Sequence, residues 1–171
     1  TTPNIENLFR SLEHVIQEDF IPTIIGKSFL DGDMRKIISL PARYGGLSIG
    51  NVSEYSQKEY ENSIRMTSQL TAAIVNQETV LNINQAEIDK IKLDIGLERE
   101  KFYLEKKKTL METLDASSVR QLELISEPGV SCILTSLPLK DFGFTMNKQQ
   151  FHDYIALRYN YKISGVSGIC G

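Results

Sequence analysis

The amino-acid sequence predicts an all-α fold, a helical bundle with a long helical hairpin or arm and room for one short extended segment. The 171 residues are 41% hydrophobic and 24% charged, an ordinary composition for a folded chain with a core. Apolar residues recur at helical spacings of three and four in several segments. Residues 84–114 form a long, highly charged stretch of helical composition. Elements of this length favour an all-α assembly.

The first predicted helix covers residues 5–20. Asn4 is a suitable N-cap, and the apolar positions of the segment define one helix face. Pro22 then ends or kinks the helix, because proline lacks an amide hydrogen and clashes with the preceding turn. The predicted buried face comprises Ile5, Leu8, Phe9, Leu12, Val15, Ile16 and Phe20.

A second, short helix is predicted over residues 33–40, with Asp31 or Asp33 as its cap. Gly45 and Gly46 follow it and permit a tight reversal of the backbone. We therefore expect one of these two glycines to have a positive φ angle.

A long helix is predicted to begin at Asn51 and to continue to about residue 76. Asn51 and Glu54 fit a capping box, in which two side chains satisfy free amides of the first turn. The residues predicted to be buried on this helix are Tyr55, Ile64, Leu70, Ala73 and Ile74.

Residues 84–114 are predicted to form a helical arm. Two apolar series recur along it every seven residues, which predicts contact with more than one partner element, as in a helical hairpin packed on a body. Gly96 weakens its middle by about 1 kcal/mol relative to alanine. The first series is Leu81, Ile88, Ile95 and Phe102, and the second is Leu97, Leu104 and Met111.

The C-terminal part begins with a helix that Ser117 or Ser118 caps and that ends before Pro128. An apolar run and a turn at residues 141–143 come next. The last helix is predicted over residues 147–157, where Asn147 is the cap. Its apolar face comprises Phe151, Tyr154, Ile155 and Tyr159.

Charge and cysteine content exclude several classes of protein. The formal charge of -3 argues against a free-standing, strongly basic nucleic-acid-binding domain, although it permits a local basic face. Cys132 lies in an apolar run and is predicted to be a buried free thiol. The longest apolar stretch is far shorter than the roughly 20 residues that cross a bilayer. We therefore expect no membrane partner and an intracellular location, nuclear or cytoplasmic.

No set of catalytic residues emerges, so the chain is expected not to be an enzyme. Its histidines and carboxylates have no spacing suited to a metal or an acid–base centre, and the Tyr/Phe-x-Asp-Asp turn of polymerases is absent. The densest basic cluster is Lys106, Lys107 and Lys108, which are candidates for phosphate contact. A solvated helix face is the simpler interpretation of that cluster. Arg35, Lys36 and Arg43 around residues 40–51 form a second, sparser basic patch. Arg43, in a glycine-rich turn, is the better candidate for nucleic-acid contact.

Two ordered blocks stand far apart in the chain, LPARYGGLSIGN at residues 40–51 and LTSLPLKDFGFTMNKQQFHDYIALRYNY at residues 134–161. Together they resemble the segment after the polymerase core in reverse transcriptases of LINE-type (non-LTR) retroelements with a C-terminal restriction-like endonuclease. In that family, Leu-Pro-x-Arg-x-Gly-Gly-Leu occurs where the polymerase passes into its thumb-like helices. Here the pattern is carried by Pro41, Arg43, Gly45, Gly46 and Leu47.

The second block is similar to the family's Leu-Thr-x-Leu-Pro, Gly-Phe, Phe-x-Asp and Leu-Arg-Tyr elements, although Ile133 replaces a tryptophan. A zinc knuckle follows in the family, and Cys170 stands at the position of its first cysteine. A structural zinc site takes four ligands, so we expect no cofactor unless the chain continued past Gly171. The matching motif residues are Pro138, Gly143, Phe144, Phe151, Asp153, Arg158 and Tyr159.

The resemblance implies a non-catalytic connector of a reverse-transcriptase polyprotein, an RNA-directed DNA polymerase, with RNA and DNA as partners. Such a connector would support the template-primer duplex and position the zinc knuckle and endonuclease. The alternative is a free-standing helical interaction module that acts through residues 84–114, by self-association or with another partner. The implied segments are 1–78, a thumb-like region with the Gly-Gly turn; 79–127, a charged arm; 128–163, a helical connector; and 164–171, the flexible start of a truncated zinc knuckle.

Arg158 is the motif residue that is hardest to explain as simple packing. We predict a structural role, in which its guanidinium is partly buried and bonds backbone carbonyls or a carboxylate, because a buried unpaired charge is costly. Asp153 and Asp141 are the nearest candidate carboxylates.

Overall fold

The computed structural model describes residues 6–26, 31–79, 83–143 and 145–161, and its fold is all-α, as predicted. No strand occurs among these residues; short extended backbone is present at Ser136 and Leu139. The helices are α1 (Glu6–Val15), α2 (Ile21–Ile25), α3 (Gly32–Ser39), α4 (Val52–Val75), α5 (Gln85–Thr113), α6 (Ala116–Ile125), α7 (Cys132–Thr135) and α8 (Lys148–Arg158), with 3-10 turns at Ala42–Tyr44 and Lys140–Phe142.

The first helical segment does not end at Pro22 but continues through it, after a π-helical turn. A π-helical turn, Ile16–Phe20, joins α1 to α2 immediately before the proline. A π turn changes the regular hydrogen-bond ladder, which accommodates a residue that cannot donate to it. The helix ends at Gly26, which has a left-handed φ of 69°.

Helix α1 buries a different face from the predicted one. Its buried residue is Glu13, whose Oε2 accepts a hydrogen bond from the Val52 amide at 3.1 Å, where α4 begins. Leu8 and Leu12, on the predicted apolar face, are exposed. A carboxylate that satisfies a free amide at a helix N-terminus therefore decides which side of α1 turns inward.

The first of two compact units contains the described residues of Thr1–Glu13 and Asn51–Lys106. In it α4 and α5 form an antiparallel hairpin. Lys106 Nζ lies 2.6 Å from Glu54 Oε2 at one end, and Gln69 Nε2 donates to Glu87 Oε2 at 2.7 Å near the other. The hairpin predicted from the sequence is thus present.

Helix α4 begins where the sequence predicts, but only half of the capping box forms. Asn51 Oδ1 accepts a hydrogen bond from the Glu54 amide at 3.1 Å, whereas the Glu54 carboxylate pairs with Lys106. Of the residues predicted to be buried on this helix, Ala73 is buried, and Ile64, Leu70 and Ile74 are exposed.

The second unit contains the described residues of His14–Gly50 and Lys107–Gly171. The side chains at its centre come from α2, α3, α6 and α8 and from the loop after α3. The fully buried apolar residues of the second unit are Ile21, Ile38, Leu40, Leu122 and Ile155.

Two local predictions for the C-terminal part are wrong. The cap of α6 is Asp115, whose Oδ1 accepts hydrogen bonds from the amides of Ser117 and Ser118. Hydrogen bonds from Ser118 lower the pKa of the Asp115 carboxyl; the bond from the hydroxyl has the larger effect and the bond from the amide the smaller one. Cys132 is exposed on a single helical turn, and its neighbour Ser131 is the residue that points inward.

Asn147 caps α8 as predicted, in a complete capping box with Gln150. Because the Asn147 side chain satisfies an otherwise free amide, Asn147→Ala should lower the free energy of unfolding by about 1 kcal/mol. Asn147→Asp should keep most of the stabilisation that the cap contributes, because aspartate is also a good N-cap. Urea unfolding followed by circular dichroism measures both. Asn76→Ala, at the C-terminal end of α4, is the matched control. Equal losses at both positions would contradict the assignment of the cap.

Candidate functional site

The two sequence blocks meet in the second unit, at the Gly-Gly turn. Arg158 Nη2 donates to the carbonyl oxygens of Ala42 at 3.2 Å and Gly46 at 3.4 Å. The Tyr159 hydroxyl donates to the Gly45 carbonyl oxygen at 3.1 Å. We call this contact the Gly-Gly joint; it comprises Ala42, Gly45, Gly46, Ser131, Arg158 and Tyr159.

The glycines give the turn its shape. Gly45 has a φ of 95°, which confirms that one of the two glycines has a positive φ angle. Gly46 lies against the end of α3, where a Cβ atom would be 1.9 Å from the Leu40 carbonyl oxygen. The first glycine therefore permits the left-handed backbone, and the second permits the close approach of two backbone segments.

Arg158 is buried, with 4% of its surface exposed, and it contacts backbone carbonyls as predicted. Its partner is not a carboxylate: Asp153 accepts from Gln149 instead, and among the described residues no carboxylate is within ion-pair distance of Arg158. Its remaining bonds go to Ser131 Oγ at 2.9 Å and the Tyr154 hydroxyl at 3.3 Å. A buried guanidinium held by several oxygens fixes the position of each of them.

Arg35 holds the other end of the same loop. It is buried, Nη1 donates to the Ile49 carbonyl oxygen at 2.8 Å, and Nη2 donates to that of Gly50 at 3.2 Å. The sequence suggested Arg35 only as part of a sparse basic patch near the first block. Its spacing of three from Ile38, which is fully buried, was the available signal that it shares the inner face of α3.

Burial also controls the chemistry of Tyr159. Desolvation raises its pKa to about 12, and the nearby Arg158 charge opposes that rise. The hydroxyl therefore stays protonated at neutral pH and continues to donate to Gly45. Tyr161 lies beside it, with ring centroids 6.2 Å apart, and burial raises the pKa of Tyr161 to about 12 as well.

Lys106 belongs to the interior of the hairpin and not to a phosphate-binding face. Its Nζ pairs with Glu54 and lies 5.4 Å and 5.8 Å from the ring centroids of Tyr55 and Phe102. An ammonium that is already neutralised by a carboxylate and stacked on aromatic rings is poorly suited to bind phosphate. Contact of Lys106 with nucleic acid stays a prediction, and its pairing with Glu54 argues against it.

The remaining basic candidates do not share one surface. Successive helix residues point about 100 degrees apart, so Lys107 and Lys108 face different directions. Lys107 is half-buried; desolvation lowers its pKa, and the Glu123 carboxylate opposes that shift. Lys108 is exposed. Arg43 is exposed in the first block, with its guanidinium carbon 4.9 Å from the centroid of the Tyr44 ring.

The other motif residues lie elsewhere in the second unit or outside the described residues. Gly143 ends the second 3-10 turn with a φ of 72°, in agreement with the predicted turn. Pro41, Leu47, Phe151 and Asp153 are half-buried, and Pro138 and Gly143 are exposed. Phe144, Cys170 and the predicted segment 164–171 lie outside the described residues.

Within the described part of the chain, no group of three or more His, Cys, Asp or Glu side chains is arranged to hold a metal ion. None of the described helices has the length and apolar character needed to cross a membrane. Comparisons with protein-family models, with curated proteins and with solved structures found no match.

Proposed function

We propose that the chain is a non-catalytic connector of a LINE-type retroelement reverse transcriptase, which links the thumb-like helices of the polymerase to a zinc knuckle and endonuclease. The observation that supports this best is the Gly-Gly joint, because it holds together the two blocks whose residue order resembles that family. A connector has to keep its ends in fixed positions. Buried arginines that bond backbone carbonyls are suited to that task, because any bend would leave a charge without partners.

In this proposal the connector touches RNA or DNA through backbone phosphates, without reading sequence. Arg43 is the side chain best placed for it. It is exposed, and its neighbour Ala42 has its carbonyl oxygen bonded to both Arg158 and Ser131. A cation on a turn fixed in this way would meet the phosphate without first having to be ordered. The proposal places the protein inside the cell, in the nucleus or cytoplasm, and includes zinc only if the chain continued past Gly171.

Arg43→Ala should weaken binding of a template-primer duplex in the polyprotein, while the fold stays intact. Because one phosphate contact is lost, the slope of log K against log salt should decrease by about 1. Titration of a fluorescent duplex at several salt concentrations measures both quantities. Lys106→Ala is the matched control, since it removes an equal charge that the hairpin already neutralises. An unchanged affinity and slope for Arg43→Ala would contradict its role.

The polyprotein itself has a separate test. Translation of the flanking DNA in frame should reveal a polymerase Asp-Asp motif upstream and a Cys/His knuckle downstream. If neither is found, the connector proposal fails, whatever the chain binds in isolation.

The second candidate function is a free-standing helical interaction module that acts through residues 84–114. It is favoured by Leu97 and Leu104 of the second apolar series, which are exposed, whereas in the first series Ile95 is buried and Phe102 contacts Tyr55 of α4. Apolar residues that repeat along one exposed helix face are typical of a surface that binds another helix.

A further inference from the structure

Helix α5 has two apolar faces, and only one of them packs on α4. On the inner face Ile95 is buried, and the ring of Phe102, which is 38% exposed, contacts Tyr55 of α4 with 5.7 Å between the centroids. At about 100 degrees per residue, Leu93, Leu97 and Leu104 fall in a narrow band on the opposite face. They are 63%, 58% and 50% exposed, and we call them the leucine stripe.

We propose that the leucine stripe binds the same stripe of a second copy of this chain, with the two α5 helices antiparallel. The inference deepens the second candidate function by naming its partner and geometry, and it is independent of the connector function. A twofold pairing of this kind uses one surface twice, so every contact has to be self-complementary.

The charges beside the stripe meet that condition. Lys90, Asp94, Lys101 and Glu105 lie along one flank of it. If a twofold axis passes between residues 97 and 98, Lys90 of one copy lies opposite Glu105 of the second copy, and Asp94 lies opposite Lys101. One axis therefore satisfies both pairs, and it also brings Leu93 near Leu104 of the second copy. Flanking charges of this kind set the partner and the direction of paired helices.

Lys101 and Glu105 are available for a partner, and Asp94 is half-buried. The Lys101 and Glu105 side chains are 79% and 68% exposed, and their own contact is long, at 4.0 Å. Such a pair contributes little within one chain. Its members can therefore bond to a second copy at small cost.

A parallel pairing is unfavourable. It would place each stripe residue against its own counterpart, and so would set Lys90 against Lys90 and Glu100 against Glu100 at the edges of the stripe. Like charges that face each other across two helices destabilise the pair. The antiparallel direction avoids both contacts.

Gly96 lies beside the proposed axis and supports the same geometry. A Cβ atom on Gly96 would meet nothing within 4 Å in this chain, so the fold of a single copy does not require glycine there. Glycine within a helix is less favourable than alanine. Gly96 lies on the flank of the stripe opposite the charged residues, where the missing side chain leaves room for a second helix.

Sedimentation equilibrium of the full chain over a concentration series tests the proposal, and we expect a reversible dimer. Lys101→Glu should raise the dissociation constant at least about tenfold, because it sets like charges against Asp94 at two symmetric places. Adding Asp94→Lys to Lys101→Glu gives opposite charges again at the two symmetric contacts between residues 94 and 101, and it should restore the dimer. Rescue by this second change would distinguish the antiparallel pairing from a general effect of charge.

A second pair of variants tests the apolar contact. The double change Leu93→Ser with Leu97→Ser should abolish the dimer with unchanged helicity, since both side chains are exposed. Ile74→Ser, at a residue 66% exposed outside the stripe, should leave the dimer intact. A dimer that persists after the leucine changes would show that the leucine stripe is not the interface, although the chain could still be an interaction module.

A strict monomer of the unchanged chain would contradict both the leucine-stripe dimer and self-association of the module. If Asp94→Lys fails to rescue Lys101→Glu, the antiparallel geometry is wrong. Duplex binding by the connector is measured separately and is untouched by any of these outcomes.

Discussion

Gly46→Ala should destabilise the second unit severely, by about 3 kcal/mol or more. The added Cβ atom would lie 1.9 Å from the Leu40 carbonyl oxygen and 2.6 Å from that of Ile37. Both oxygens belong to the backbone at the end of α3, so neither can rotate away as a side chain would. The loop would have to move off the helix, and the Leu47 amide would lose its 3.1 Å bond to Ile38. Thermal and urea unfolding followed by circular dichroism measure the loss.

Gly32→Ala is the matched control, because a Cβ atom there meets nothing within 4 Å and Gly32 has no positive φ. Gly45→Val should also be strongly destabilising. It combines a left-handed φ of 95° with a Cβ position 2.6 Å from Leu122 Cδ1, and a β-branched residue resists that backbone region. Stabilities of Gly46→Ala and Gly32→Ala that agree within error would show that α3 and the turn are not held so closely together.

The elements that the sequence predicts most accurately are those with local signals. The Asp31 side chain accepts from the Met34 amide, and Asn147 forms its box with Gln150, so these caps lie within three residues of their partners. Signals of this range are visible in the order of residues alone. The bounds of α3 and α8 were therefore predicted to within a residue or two.

The predictions that failed depend on contacts between residues far apart in the chain. Periodicity marks Leu8 and Leu12 as core, yet the bond from Val52 to Glu13 turns the other face of α1 inward. Similarly, residue order identifies Lys106 as part of a basic cluster but does not reveal that it pairs with Glu54 of α4. Neither partner could be identified from local sequence, because helix spacing specifies a face and not what covers it.

The candidate site shows the same division. Residue order identified both blocks and the need for a glycine at a positive φ angle, but not that the blocks meet. Ser131 was missed, although its hydroxyl donates to the Ala42 carbonyl oxygen at 2.6 Å and accepts from Arg158. A serine after a Pro-Gly break looks like an ordinary loop residue. Only the fold brings it, Arg158 and the Gly-Gly turn to one point.

Arg158→Lys should lower the free energy of unfolding by about 2 kcal/mol or more, because an ammonium cannot reproduce a planar fork of donors. The guanidinium reaches four oxygens at once, those of Ala42, Gly46, Ser131 and Tyr154. A lysine at this position would keep the buried charge and lose several of these bonds. The buried Gly46 carbonyl oxygen would then lose its donor, which carries the penalty of its desolvation, whereas the Ala42 carbonyl oxygen would keep its bond from Ser131.

Arg99→Lys is the matched control, since Arg99 pairs with Glu59 on the exposed side of the hairpin, with both side chains about half exposed. A surface pair contributes little, so this change should alter stability by less than about 0.5 kcal/mol. Thermal unfolding of both variants, together with duplex binding at several salt concentrations, separates the two roles that Arg158 could have. A large loss of stability only in Arg158→Lys is expected if the arginine is a structural part of the Gly-Gly joint. Unchanged stability with weakened, salt-sensitive duplex binding would instead assign Arg158 to nucleic-acid contact, and the joint would then have to be held by Tyr159 and Ser131 alone.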